Sequence, residues 1–381
     1  MNEQVIHSVD YQSSTVDILS PKLFKITKGK SRDGILVTGG AGFIGSHIAE
    51  ALLRRYKKVV VFDVFNQETS RSDQKHSNVM VLKKIVKEVN EKITDNFLKA
   101  ELYVIVGDIR DRFAIDEIIC NPLYNITSAI HAAGMVDYRR SVSCPNEYFD
   151  INIKGTATLY DVLGRYGKIK RIVQASSCSV YGEADHQSTK LVEDSARKPI
   201  NPYGISKVAS DAVAYCYSQM FQMQVFIIRV ASCYGHRGRP DMLLPNLMEH
   251  IESGAVIKKY GDGEATRTWL YIDDVVDCFL RAFFYGAEDS AIGGLDKSNS
   301  AKLSLYEEFN TGSLEGALSV NEVIETAEKV AGKKANIQLM KEMPKGDAKH
   351  SGVCDYSKAK RILGWEPKYN LEQVLAAMKN Y

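Results

Sequence analysis

Between residue 35 and about residue 235, short apolar runs alternate with stretches in which apolar positions recur every three or four residues. Ile35-Leu36-Val37-Thr38 is a run that stops at glycines, the pattern of a parallel strand buried on both faces. Phe43 to Tyr56 has helical spacing, with Ile44, Ile48, Leu52 and Leu53 on one side. Lys58 to Phe62 predicts a second strand. Asn78 to Leu98 predicts a helix on Val81, Leu82, Ile85, Val86, Val89, Ile93 and Phe97. Leu102 to Val106, Ser128 to His131, Arg171 to Ala175 and Val225 to Val230 read as further strands, and Ile153 to Tyr166 as a helix. This alternation predicts an α/β fold, a Rossmann-type doubly wound parallel sheet. After Tyr234 the pattern loosens, and helices return near Val320–Ala331 and Leu371–Lys379. The expected division is a polar N-terminal tail over 1–33 and a dinucleotide-binding domain over 34–232, to which segments of 270–312 return. A smaller C-terminal α/β substrate-binding cap is expected over 233–269 and 313–381. The Gly- and Ser-rich stretch 286–304 reads as a surface loop.

Composition narrows the class without naming a chemistry. The chain has 381 residues, 45% hydrophobic and 25% charged, enough to bury a full core. A net charge of +2 gives no field that would argue for nucleic acid. Seven scattered cysteines, with no Cys-x-x-Cys pair, point to reduced thiols in a cytoplasmic protein and to no metal site. No apolar run reaches membrane-spanning length, so no membrane partner is expected.

Two local patterns carry chemistry. Thr38-Gly39-Gly40-Ala41-Gly42-Phe43-Ile44-Gly45 joins the first strand to the first helix. Its glycines allow a tight turn and close backbone approach, and the helix N-terminus attracts a pyrophosphate, so Gly39, Gly42, Phe43, Ile44 and Gly45 are candidate dinucleotide contacts. Asp63 closes the second strand at the distance expected of a carboxylate that binds ribose hydroxyls and repels a 2′-phosphate, which favours NAD over NADP. Asp108 and Ile109, in Gly107-Asp108-Ile109-Arg110-Asp111, are candidates for holding the adenine. The second pattern is Tyr203 and Lys207, one helical turn apart and therefore on one helix face. A neighbouring ammonium lowers a phenol's pKa and makes it a usable general base toward a substrate hydroxyl.

Together these residues resemble the extended short-chain dehydrogenase/reductase family, specifically its nucleotide-sugar epimerases and dehydratases. The resemblance runs from about residue 34 to the C-terminus. It includes His131-Ala132-Ala133-Gly134, Asn152 to Thr156, Ser176 to Gly182, Arg229 to Gly235, Gly261-Asp262-Gly263 with Arg267, Asp273-Asp274, and Leu363-Gly364-Trp365-x-Pro367. It implies NAD as cofactor, with Ala132, Ala133 and Gly134 lining the nicotinamide ribose and Asn152 behind the catalytic pair. It implies Ser177 as the partner of Tyr203 and Lys207 in catalysis. It also implies a homodimer built on the helices at 153–166 and 203–217.

Similar dehydratases carry Asp and Glu after the catalytic hydroxyl residue, and similar decarboxylases carry Glu two positions before the tyrosine of Val-Tyr-Gly. This chain has Cys178 and Ser179 there. The resemblance thus implies a 4-epimerase of a UDP-sugar: transient oxidation at C4, rotation of the 4-keto sugar, and hydride return to the opposite face. Arg267 and Asn246 match residues on the nucleotide diphosphate, and Tyr260 is placed near uracil. Gly238-Arg239-Pro240-Asp241-Met242 and Ser232 match the UDP-glucuronate 4-epimerase subgroup, as does the spacing from His131 to Arg139, which would pair with a sugar carboxylate. Ser177, Ser179, Tyr203 and Arg239 complete the expected sugar contacts. Met135 and Lys345 depart from that subgroup. Open alternatives are a neutral or N-acetylated UDP-hexose, a decarboxylase or dehydrogenase on the same scaffold, and a non-catalytic NAD sensor.

Overall fold

Successive residues of a strand point to opposite faces, and in the central strands both faces are apolar. Leu36, Val60 and Phe62 enter one core; Ile35, Val37, Val59 and Val61 enter another. Each such side chain stabilises the fold by roughly 1.5–3 kcal/mol. The strands are β1 (Gly34–Thr38) and β2 (Lys58–Asp63), joined by α1 (Phe43–Leu53). The computed structural model describes residues 32–55, 57–65, 72–95, 98–239, 242–286 and 304–378, with backbone alone for Pro245 and Asn246. The expected tail and the 286–304 loop lie almost wholly outside the described residues.

The chain continues through α2 (Ser72–Glu91), β3 (Glu101–Val106), α3 (Arg112–Cys120) and β4 (Ile126–His131). Two short helices, α4 (Tyr138–Ser143) and α5 (Pro145–Tyr148), lead through a π-helical turn at Phe149–Lys154 into α6 (Gly155–Tyr166). Then come β5 (Arg171–Ser177), β6 (Lys190–Leu191), α7 (Pro202–Phe221), β7 (Gln224–Val230) and β8 (Ser232–Tyr234). The remainder is α8 (Leu243–Ser253), β9 (Val256–Tyr260), β10 (Thr266–Tyr271), α9 (Ile272–Phe283), β11 (Tyr306–Asn310), β12 (Ala317–Ser319), α10 (Val320–Ala331), β13 (Asn336–Met340), β14 (Val353–Cys354), α11 (Ser357–Leu363) and α12 (Leu371–Met378).

Seven strands form one parallel sheet in the order β11-β7-β5-β4-β1-β2-β3. The winding reverses between β1 and β4, and a cleft outside the strand ends at such a point is where α/β sheets take ligands. A third core, with Leu244, Leu247, Val323 and Leu371, joins α8, α10 and α12. Among the described residues no helix is long and apolar enough to cross a membrane.

Differences from the apolar pattern have local causes. α2 starts at Ser72, ahead of the predicted Asn78, because its first turn is polar and carries no periodicity. It ends at Glu91, where the Asn90 amide pairs with Ala100 through both its oxygen (2.7 Å) and its nitrogen (2.9 Å) and turns the chain into β3. The loosened region after Tyr234 hides α9, whose Val275, Phe279 and Phe283 enter the main core. It also hides β11, which pairs with β7. Trp365, fully buried, donates from Nε1 to the Asp274 carbonyl (2.9 Å) and fastens the C-terminal segment to α9.

Candidate active site

The turn after β1 is shaped by contacts that only glycine allows. Gly39 has φ +68°, and a Cβ there would lie 2.6 Å from the Ala132–Ala133 backbone. A Cβ on Gly45 would lie 2.1 Å from the Gly39 carbonyl oxygen. The helix behind the turn, α1, is capped by Gly42 without a side-chain bond, so its first N–H groups are free to face an anion. The turn opens into a cleft of about 570 Å³ lined by Gly39, Gly42, Phe43, Ile44, Gly45, Asp63, Asp108, Ile109, Ala132, Ala133 and Gly134. This glycine cradle fits a dinucleotide pyrophosphate.

Asp63 closes β2 as expected. Its Oδ2 accepts from the Ala41 amide (2.9 Å), and its Oδ1 accepts from the Val64 amide (2.8 Å) and from Lys75 Nζ (2.7 Å). The charge assigned to repelling a 2′-phosphate is therefore offset by an ammonium that also lines the cleft. Lys75 lies in the first turn of α2 and belongs to no motif, so nothing in the sequence marks it. Asp108 accepts from the Arg110 backbone (2.8 Å) and side chain (2.9 Å), which holds its carboxyl below the usual range. Asn152 does not line the cleft. Its Oδ1 accepts from the Met135 amide (2.8 Å) and its Nδ2 donates to Ser206 Oγ (2.9 Å), so it braces the wall and the catalytic helix from behind. His131 is likewise behind the wall, sharing hydrogen bonds with Thr38 (2.7 Å) and Thr156 (3.0 Å). Burial pulls its pKa down to about 3, so it stays neutral.

Tyr203 and Lys207 enter the cleft from the first turns of α7. Pro202 starts that helix, and the Asn201 carboxamide caps it by accepting from the Gly204 amide (2.8 Å). The same carboxamide donates to the Gly346 carbonyl (2.8 Å). The expectation that Lys207 lowers the Tyr203 pKa is corrected. Burial pushes the phenol up, opposed first by a hydrogen bond from Ser177 and then by the charge of Arg239. Lys207 itself donates to the Ala175 carbonyl (2.7 Å), and burial pulls its pKa down to about 8. Ser177 ends β5, its Oγ accepting from the Ser179 amide (3.1 Å) and sharing a hydroxyl–hydroxyl hydrogen bond with Ser179 Oγ (3.1 Å). No carboxylate occupies Cys178 or Ser179. The acids that line the cleft are Asp63, Asp108, Asp137 and Asp347, each with a cationic neighbour.

The two expected sugar-end arginines separate. Arg239 lines the cleft, with Nη2 3.5 Å from Asp137. Arg139 does not line it. Asp137 caps α4 by accepting from the Arg139 and Arg140 amides (3.0 and 3.1 Å). The Arg139 side chain lies over the Tyr260 ring (4.7 Å), donates to Tyr138 Oη (3.1 Å) and sits 3.6 Å from Asp347. Asp347 is the hub of that end: it bonds Arg267 and accepts from Tyr138 Oη (2.7 Å). Ser232 and Arg267 line the cleft as expected, whereas Tyr260 stands outside it under Arg139. Asn246 lies in α8, and its side chain is outside the described residues. The arrangement brings a buried phenol, a serine hydroxyl and two lysine or arginine charges to one end of a dinucleotide-shaped cleft, and a second arginine to its outer end. It can move one proton at a substrate hydroxyl beside a hydride carrier.

Residues 36–378 match the protein family described as GDP-mannose 4,6 dehydratase. A UDP-glucuronate 4-epimerase of Thermodesulfobacterium geofontis is 32% identical over 91% of this chain and 95% of its own. A bifunctional UDP-glucose and UDP-xylose 4-epimerase of Arabidopsis thaliana is 30% identical over 91% of this chain and 94% of its own. The crystal structure of a UDP-glucuronic acid 4-epimerase from Bacillus cereus, in complex with UDP-glucuronic acid and NAD, superposes with a TM-score of 0.74 at 28% identity, covering 91% of this chain and 98% of that one. With a glycine cradle, a Tyr–Lys pair and a seven-stranded parallel sheet in place, the chain belongs to the GDP-mannose 4,6-dehydratase family of extended short-chain dehydrogenase/reductases.

Proposed function

We propose that the protein is an NAD-dependent 4-epimerase that interconverts UDP-glucuronate and UDP-galacturonate. The observation that carries this is the composition of the sugar end. Tyr203 and Ser177 stand there with Arg239 acting on the phenol, and the positions after Ser177 hold no carboxylate. Elimination of a hydroxyl needs an acid and a base at those positions, and a simple oxidation–reduction at C4 does not. The similarity to UDP-glucuronate 4-epimerases supports the choice of sugar.

Tyr203 accepts the proton of the sugar 4-hydroxyl and returns it after the ring has turned over. The single Ser177 proton eases ionisation of Tyr203 against the burial that raises it, and turns to the sugar oxygen once substrate is bound. When bound, NAD supplies the hydride acceptor and donor, and its positive nicotinamide favours the phenolate. Gly39, Gly42 and Gly45 hold the pyrophosphate, Asp63 a ribose, and Lys207 the nicotinamide ribose. Arg239 is the guanidinium placed to meet a carboxylate on C5, and Arg267 meets the diphosphate. A 4-keto uronate is a β-keto acid and loses carbon dioxide readily; a guanidinium that fixes the carboxylate, with no acid at Ser179, preserves it. A homodimer through α6 and α7 is part of the reading, supported by exposed Ile205, Tyr215 and Met220 on α7. So is a cytoplasmic setting, supported by seven free cysteines.

The test is to incubate the protein and NAD with UDP-glucuronate, UDP-glucose and UDP-N-acetylglucosamine and to resolve C4 epimers by NMR. UDP-galacturonate, with no net NADH and no carbon dioxide, is expected. Net NADH, released carbon dioxide, or epimerisation of neutral sugars alone would overturn the assignment.

A further inference from the structure

One helical turn beyond Lys207, the same face of α7 presents Asp211, a fully buried carboxylate that the proposed reaction does not use. Its Oδ2 accepts from Ser176 Oγ (2.9 Å), the residue before Ser177, and its Oδ1 accepts weakly from Gln174 Nε2 (3.4 Å), both on β5. Arg229 of β7 faces it with Nε 3.7 Å away. Glu308 of β11 takes another arm of that guanidinium at 2.5 Å and also pairs with Arg197 at 2.6 Å. Tyr306 of β11 donates to the Asp211 carbonyl (3.3 Å), and Tyr160 of α6 feels its charge. On α7 itself, Tyr203 and Lys207 feel it too.

The bland assignment is that Asp211 is the counterion of Arg229. Asp211 does share that role, but the role does not exhaust it. Arg229 donates to Tyr181 Oη (2.7 Å) and to the Glu193 carbonyl (2.9 Å), and its Nη2 and Nε face Glu308 and Asp211 at ion-pair distance without a hydrogen bond. Asp211 directs its hydrogen bond to the catalytic strand. Asp211, Glu308 and Glu193 are the buried carboxylates around Arg229 and Lys207, and Asp211 is the one whose charge acts on Lys207. Without it Arg229 stays charged, while Lys207 holds its proton less tightly.

We propose that Asp211 is a positioning residue that keeps Lys207 protonated inside the sheet and, through Ser176, holds the end of β5 that presents Ser177. The catalytic ladder of α7 is then three residues, Tyr203, Lys207 and Asp211, of which only the first two touch reactants. This rests on the proposed reaction only for its kinetic consequence; the charge on Lys207 is a property of the protein with NAD alone. An opposite charge within about 4–6 Å raises a buried ammonium's pKa by about one unit or more. Burial and Asp211 act on Lys207 in opposite directions, and burial is the larger.

The decisive experiment is an NMR titration of protein carrying lysine labelled with carbon-13 at Cε, saturated with NAD and without any sugar nucleotide; Lys207→Arg identifies the Lys207 signal. Asp211→Asn keeps the shape and an acceptor for Ser176, and should lower the Lys207 midpoint by about one unit or more while other lysines stay put. Asp211→Glu should bring the midpoint back. If Asp211→Asn does not fold, Ser176→Ala, which removes the hydroxyl that favours the ionised carboxylate, should move Lys207 the same way by a smaller step. A Lys207 midpoint unmoved in every folded variant overturns the proposal. In turnover assays both limbs of the pH–rate profile should move to lower pH in Asp211→Asn, since removing this charge eases ionisation of Tyr203 and deprotonation of Lys207 alike. A lower plateau with unmoved limbs would mean a purely structural role. If the titration shifts but UDP-glucuronate is not turned over, the substrate assignment fails and Asp211 keeps its role.

Discussion

A phenol at 8% exposure, pushed up by burial and lacking a direct ammonium contact, is a reluctant base until a cation joins it. Tyr203→Phe should cut turnover by roughly 10²–10⁴-fold while leaving NAD affinity nearly unchanged, since positioned acid–base groups contribute that much; stopped assays and NAD titration check both. Near-normal turnover would remove Tyr203 from the chemistry. At the opposite end, Asp63 and Lys75 form one electrically balanced pair (2.7 Å). Lys75→Ala should strengthen the preference for NAD, because the bare carboxylate then meets a 2′-phosphate, and Asp63→Ala should admit NADP, because the ammonium is then unpaired. Equal NAD and NADP affinities in both variants would place the ribose elsewhere. The two sugar-end arginines predict a split. Arg239→Ala should weaken UDP-glucuronate by about 2–5 kcal/mol and a neutral UDP-hexose far less, the range for truncating one member of a buried charge pair. Arg139→Ala, outside the cleft wall, should weaken both alike; binding calorimetry separates the cases.

Elements explain why some of this was legible and some not. The glycine turn and the Tyr–Lys pair are readable because each is set by local backbone: a turn no Cβ fits, and two side chains one helical turn apart. Arg139 against Arg239 is not readable, since the answer depends on the placement of α4 and on the tertiary path that returns residue 239 beside Tyr203. α9 was hidden for a different reason: its apolar stripe opens with Asp273 and Asp274, which look like loop until Trp365 is seen bonded behind them. Asn201 is an element-scale joint, capping α7 with one atom and holding the Gly346 turn with another. Asn201→Ala should cost about 1 kcal/mol of stability, the usual value of an N-cap. Asn201→Ser should restore that stability, because serine also caps, but not UDP affinity, because its side chain is too short to reach Gly346. Urea midpoints and UDP titration give the two readings; full rescue of both by serine would dissolve the joint.

For the whole molecule, buried titratable groups set how stability depends on pH. His131 is neutral in the folded state with a pKa near 3, against 6.5 when exposed, so its contribution is present above pH 6.5 and is lost as pH falls below that. Asp273 runs the other way: burial raises it to about 6 from 3.8, so its charge weakens the fold above pH 6 and ceases to do so below pH 4. Asp273→Asn should therefore raise the urea midpoint at pH 7 and leave it unchanged at pH 4. His131→Gln should lose least, relative to the parent, at the acid end. Parallel shifts at both pH values would show that neither group titrates differently on folding. Asp347 pairs with the Arg267 guanidinium, accepts from the Tyr138 hydroxyl and lies 3.6 Å from Arg139. One carboxylate thus knots three stretches of chain far apart in sequence, so Asp347→Asn and Arg267→Ala should cost less stability together than the sum of their separate costs; urea midpoints of the double-mutant cycle give the coupling.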